Sequence, residues 1–263
     1  MEINDTPVYI GTSGYKHDDW HGAVYPGSMQ NEEYLNYYSG EFGLNFVELT
    51  FPFYAVPERE TVEHIAQNAA GRVSFAVRLY KDFLKGHFGE QEKFMEGFAP
   101  LLEAGLIKGW LADYHYNFEA SRQNFDKIKM LRDHFGDLPL FCEFPHRTWH
   151  KEKYTEEFRD ERIGVVVTDM PNNPKFPPMK VVGTNGYSYF RLHGRNPDWK
   201  EPRSIDLNYS YKKHELENIL MSVENIASVT REVFVSFCNI KKGRGAFNAK
   251  YMKEMIDGTR SRV

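Results

Sequence analysis

The chain is poor in cysteine. Only Cys142 and Cys238 occur in 263 residues, each inside an apolar run. They supply neither a disulfide framework nor a paired-cysteine zinc spacing, and read as small core residues in a reducing compartment. Also missing is any apolar run long enough to span a bilayer, and the opening MEINDTPVYI lacks the basic and apolar blocks of a secretory leader. The expectation is a cytoplasmic protein with no membrane partner. Surplus positive charge is absent too. Lys+Arg 33 against Asp+Glu 37 gives a net charge of -4, which excludes a chain built wholly to bind polyanions and leaves only local basic patches. There is no His-Glu-x-x-His motif, low-complexity tract or sequence repeat.

What remains is ample apolar material, 41% of residues, enough for one barrel-sized domain over 1–263. Eight short stretches read as strands: 8–12, 46–50, 73–79, a weaker 110–114, 140–144, 164–169, 187–194 and 233–239. Helical spacing appears between many of them, as in Tyr34, Leu35 and Tyr38 after an Asn31 cap, or Phe125, Ile128 and Leu131 after a Ser121 cap. The last such set is Phe247, Tyr251, Met255 and Ile256. Four prolines and many polar residues break the rhythm between 170 and 186. The pattern predicts a (β/α)8 barrel of the triosephosphate isomerase type, its sixth outer helix missing or replaced by a long loop. An open doubly wound sheet is the alternative.

In such a barrel the last inward position of each strand faces one mouth, where barrel enzymes build their sites. That rule collects Glu48, Arg78, Asp113, Glu143, Asp169, Arg191, His193 and Asn239. The strand YSYFRLHG shows the alternation best, with Tyr189, Arg191 and His193 on one face and Phe190 and Leu192 on the other. Two uses of these groups stay open. The carboxylates and the histidine could hold a divalent metal ion, or the two arginines could neutralise the carboxylates as buried pairs. The metal is not favoured. His193 beside Glu143 or Asp169 suits general acid or base work. The loop NIKKGRGAFN, 239–248, places Lys241 and Arg244 among glycines before a helix, a place where barrels cradle phosphate. A solvated charged turn is the competing account.

The motifs GTSGY at 11–15, NFVELTFPFYAVP at 45–57, FAVR at 75–78, EFPHRTW at 143–149, Asp169, YFRLHG at 189–194 and FVSFCNIKKGRGAFNA at 234–249 span nearly the whole chain. Together they resemble the YecE-like family, domain of unknown function 72. The resemblance implies a barrel, brings no established activity, and supports Ser13, Glu48, Tyr54, Glu143, Asp169, Arg191, His193, Asn239 and Asn248 as site candidates. It also marks departures. Arg78 stands where the family usually has lysine, Asp113-Tyr114-His115 where it has Gln-aromatic-Pro, and Pro145 where it tends to have arginine, with Arg147 close by.

The expected function is an enzyme acting on a small anionic, phosphate-bearing molecule by hydrolysis or isomerisation. His193, Glu143, Glu48 and Asp169 would do the chemistry. Ser13, Tyr54, Arg78, Asp113, Arg191, Asn239, Lys241, Arg244 and Asn248 would bind the substrate. A nucleic-acid binder is the second expectation, from the rim's basic residues mixed with Tyr15, Trp20, Trp149 and Trp199. A non-catalytic ligand sensor is the third. Nothing in the sequence fixes the oligomeric state.

Overall fold

The computed structural model describes residues 1–201 and 205–260. Nine parallel strand segments form a nearly closed barrel: β2 (Thr6–Ser13), β3 (Phe46–Leu49), β4 (Ser74–Arg78), β5 (Ile107–Asp113), β6 (Leu140–Glu143), β7 (Gly164–Val165), β8 (Val167–Asp169), β9 (Ser188–Leu192) and β10 (Val233–Phe237). A short β1 (Glu2–Ile3) pairs antiparallel with β2. The hydrogen-bonded order is β7-β6-β5-β4-β3-β2-β10-β9-β8. Its two ends, β7 and β8, are separated by Val166 alone, so the chain itself closes the ring. The barrel expectation holds, with the sixth strand divided in two. The open-sheet alternative does not.

Alternation along each strand sets what lies inside. Phe46, Ala76, Leu111, Phe141, Tyr189 and Phe234, one from each of six strands, make a plug with Val166 from the break between β7 and β8, and Tyr9 and Tyr187 pack against it. Rings meet edge-on within it, as Phe141 and Tyr189 do at 5.1 Å between centroids. The opposite parity, such as Phe190, Leu192 and Val167, packs outward in the larger core. Helices α1 (Tyr34–Gly40), α2 (Arg59–Ala69), α3 (Gln91–Glu103), α4 (Arg122–Phe135), α5 (Glu152–Asp160), α6 (Lys213–Ala227) and α7 (Arg244–Arg260) follow the strands. After β8 no helix forms, as the prolines predict. In the loop that replaces it the Thr184 hydroxyl satisfies backbone groups at β7, donating to the Ile163 carbonyl at 2.6 Å and accepting from the Val165 amide at 2.9 Å.

Several local readings change. The fourth strand is the second longest of the ring rather than a weak one, because Ile107 and Gly109 pair with β4 ahead of Trp110. Helix α5 goes unnamed in the periodicity reading; its buried face has only Tyr154, Thr155 and Phe158, and charge fills the rest. The α1 entry is not capped by Asn31; the Glu33 carboxylate accepts from the Gln30 backbone amide at 2.9 Å across the turn Asn31–Glu33. Ser121 does cap α4, its hydroxyl accepting from the Asn124 amide. In α7 the buried apolar side chains are Ala246, Ala249, Met252 and Ile256, whereas Phe247 is exposed. Small residues let that helix lie close to the barrel.

Gly11 of β2 shows how tightly the strands approach. A Cβ there would sit 1.6 Å from the Phe46 carbonyl oxygen and 2.8 Å from the Tyr38 hydroxyl. Gly11→Ala is expected to lower the unfolding free energy by about 3 kcal/mol, since the obstacle is backbone. Gly27→Ala, with nothing within 4 Å of its Cβ, should change it by less than about 1 kcal/mol. Urea denaturation of both variants checks the difference.

Candidate active site

Two residues beyond the apolar plug, the inward positions turn polar: Glu48, Arg78, Asp113, Glu143, Thr168, Arg191 and Ser236. Arg191, on β9, organises them. Its guanidinium grips Glu48 with two bonds, Nε to Oε2 at 3.0 Å and Nη2 to Oε1 at 2.8 Å. Nη1 donates to Glu143 and lies 3.2 Å from Asp113. Ser13 and Tyr189 complete the Glu48 carboxylate, donating at 2.8 and 3.0 Å. Arg78 pairs with the outer side of the cluster, 3.0 Å from Asp113, and stacks over Phe53 at 3.7 Å. Five strands thus send charge to one point, and opposite signs meet there.

Next on the β9 inward face is His193. Its Nε2 lies 2.6 Å from Glu143 Oε1, which also accepts from the Thr168 hydroxyl at 3.2 Å. Burial and then the nearby Arg191 push the imidazole pKa down to about 3. At neutral pH the ring is uncharged; Nε2 carries the proton toward Glu143 and Nδ1 is left as the acceptor. Burial pushes the Glu48 and Asp113 carboxyls up, but Arg191, with Arg78 at Asp113, wins, and both end below their usual values. Cys238, the inward residue at the end of the last strand, is a protonated thiol, its pKa pushed up to about 12 by burial.

An open cleft of roughly 490 Å³ lies above this floor. Ser13, Arg78, Asp113, Glu143, Arg191 and His193 line its base, and Phe53, Tyr54, Phe176, Trp199, Ile205 and Leu207 are among its walls. Among the described residues no three His, Cys, Asp or Glu side chains gather in a metal-holding arrangement. The carboxylates are turned onto arginine.

Two residues expected on the inward face point away from it, for reasons of parity. The break at Val166 makes Thr168 the inward residue, so Asp169 points outward, where Arg195 binds it at 2.9–3.0 Å and the Tyr211 hydroxyl at 2.6 Å. In the last strand Cys238 is inward and Asn239 outward. Asn239 donates to Tyr209 O and to Asn248 Oδ1, each at 2.9 Å, and Asn248 also holds both backbone groups of Tyr211. That pair clasps the segment before α6. Lys241 and Arg244 are not part of the cleft lining: Lys241 faces Asp206 at 3.5 Å, and the turn's Lys242 amide is bound by Asp19. Tyr54 does stand at the rim, 67% exposed.

Trp20, Trp149 and Trp199 are not free stacking faces. All three are buried, with their indole N–H groups bonded to the carbonyls of Ile240, Phe118 and Glu201. Tyr15 is partly buried against the same core. Sequence reasoning missed Thr168, Arg195 and Tyr211. Counting parity from the plug would have found Thr168, but the valine run hides the alternation; Arg195 and Tyr211 sit on loops, where no period exists.

The low His193 pKa has a stability consequence. Between about 3 and the ordinary value of roughly 6.5, the unfolded chain binds a proton that the folded chain refuses. Its contribution is therefore full above about pH 6.5 and is lost as the pH falls toward 3. From pH 6 to 4 the wild type should lose about 1.4 kcal/mol per pH unit more than His193→Asn. Urea midpoints across that range test it; equal slopes would mean a protonated imidazole paired with Glu143.

Residues 9–263 match the family model described as a protein of unknown function, DUF72. The UPF0759 protein YunF of Bacillus subtilis (strain 168) is 25% identical over 273 residues, 95% of each chain. The crystal structure of a DUF72 family protein from Thermotoga maritima superposes with a TM-score of 0.84 at 31% identity, over 95% of this chain and 99% of that one. A second, from Enterococcus faecalis, gives 0.81 at 22% identity over 95% of both. No helix among the described residues is long and apolar enough to cross a membrane. From its second strand to its end, with the expected motifs in place on a barrel of the same shape, the chain belongs to the DUF72 family.

Proposed function

We propose that the protein is an enzyme that moves a proton on a small polar molecule held in the barrel-mouth cleft. His193 takes and returns the proton, and Glu143 positions the imidazole and stabilises the cation formed on it. The observation that carries this reading is the 2.6 Å contact between His193 Nε2 and the buried Glu143 carboxylate at the base of an open cleft. At neutral pH Nδ1 is unprotonated and can accept the substrate's proton; a pKa of about 3 makes the free ring a weak base, so the proton is passed on rather than held. The Arg78 guanidinium and the Asp113 carboxylate, both partly open to the cleft, hold the substrate. Proton transfer of this kind serves isomerisation or hydrolysis.

The phosphate-bearing substrate expected from the sequence has less support than the acid–base pair. Three carboxylates, Glu48, Asp113 and Glu143, face two guanidinium groups, Arg78 and Arg191, which leaves the floor one charge negative. Arg191 is already enclosed by carboxylates, and Lys241 and Arg244 do not line the cleft. The nucleic-acid reading loses its exposed tryptophans in the same way.

A thermal-shift screen of small metabolites identifies ligands, because a molecule that binds only the folded form raises Tm. Each ligand is then tested for turnover. His193→Asn should keep binding and lose at least about 100-fold in kcat. Wild-type turnover in that variant removes the proposal. Tight binding without turnover by the wild-type protein would make it a sensor.

A further inference from the structure

The substrate class can be narrowed from the way the cleft's polar and aromatic surfaces adjoin; this rests on the reading above for the location of the site. Large apolar side chains exposed singly are ordinary on a protein surface. Here two of the most exposed, Tyr54 and Ile205, both 67% exposed, come from distant parts of the chain to line the same cleft. Tyr54 is continuous with the polar floor. It meets Phe53 edge-on at 5.2 Å, and Phe53 carries the Arg78 guanidinium 3.7 Å above its ring. A group bonded to Arg78 therefore has an aromatic face beside it.

The polar side has a definite character. Arg78 Nη2 and Arg191 Nη1 both reach the same oxygen of Asp113, Oδ2, at 3.0 and 3.2 Å. Carboxylate oxygen and guanidinium hydrogens thus lie side by side, and the Arg78 and Asp113 side chains are 17% and 18% exposed. Neighbouring donor and acceptor suit a pair of adjacent hydroxyls, because each hydroxyl can give one hydrogen and accept another. The excess negative charge of the floor opposes a phosphate ester and leaves an uncharged ligand unaffected. A sugar ring combines these demands: hydroxyls radiate from its edge, and its C–H face is apolar enough to lie on tyrosine. A cleft of roughly 490 Å³ is of the size that holds small ligands.

We infer that the cleft binds a neutral polyhydroxylated ligand of the sugar class, with adjacent hydroxyls on the Arg78–Asp113 pair and a C–H face on Tyr54. The floor's excess negative charge disfavours the phosphate group that the sequence suggested. Ile205 and Leu207 close on the ring from another wall.

Saturation-transfer NMR on the full chain tests this with D-glucose, D-galactose, D-mannose and D-xylose, and with glucose 6-phosphate as the charged control. At least one neutral sugar should receive saturation, strongest at its ring C–H protons, and glucose should bind more tightly than its phosphate. Tyr54→Ala removes an exposed ring and should fold; it is expected to weaken that sugar about tenfold. Asp113→Asn should weaken it by a similar factor, though it touches the buried cluster, so Tyr54→Ala carries the test if Asp113→Asn does not fold. The inference is overturned if none of the four sugars binds, if the phosphate ester binds better than glucose, or if Tyr54→Ala leaves affinity unchanged. Those results leave the acid–base reading standing, whereas full turnover by His193→Asn would remove that reading without touching sugar binding.

Discussion

One buried guanidinium governs the upper half of the barrel. Arg191 is 3% exposed, and a lone charge so placed would be costly. Three carboxylates from three other strands answer it. Each would itself be expensive to bury alone, so arginine and acids are placed by the same requirement. The consequences reach the chemistry. Arg191 holds the Glu48 and Asp113 carboxyls ionised and helps to keep His193 neutral. It also fixes the Glu143 carboxylate from one side while His193 and Thr168 fix it from the other. A histidine at the base of a cleft gains a set orientation only because the residue that orients it is itself held.

Much of this was legible in the sequence, and the reason is periodicity. A parallel barrel repeats one rule eight times, so a polar residue two places beyond an apolar inward one marks the mouth wherever the strand is regular. Glu48, Arg78, Asp113, Glu143, Arg191 and His193 follow from it, and the structure brings them into one cluster. The rule misplaces residues where regularity stops. Asp169 and Asn239 end their strands on the outward parity, and only the inside-facing Phe234 and Val166 reveal it. Asn248 recurs in the family pattern yet serves the backbone of Tyr211. Its motif marked a structural clasp, which a sequence cannot tell from a ligand contact. Charge on a loop was the weakest guide, since Lys241 and Arg244 have no strand to aim them.

The departures from the family pattern gain meaning in three dimensions. Arg78 and Asp113, from neighbouring strands, pair with each other at 3.0 Å. An added carboxylate near Glu48 and Glu143 would meet like charge; a guanidinium beside it, with more donors than an ammonium, offsets part of that repulsion. The two changes therefore read as one.

The way the ring closes bears on a hazard common to sheets. An unfinished sheet margin offers free amides and carbonyls to any extended foreign chain. In this molecule both margins, β7 and β8, belong to one stretch of polypeptide interrupted only by Val166, whose amide bonds to the Cys142 carbonyl at 3.0 Å. The vacant slots are two and three residues long, too short to template an intruding strand. A barrel that is not fully laced by hydrogen bonds thereby still resists the edge-to-edge association that leads to fibrils.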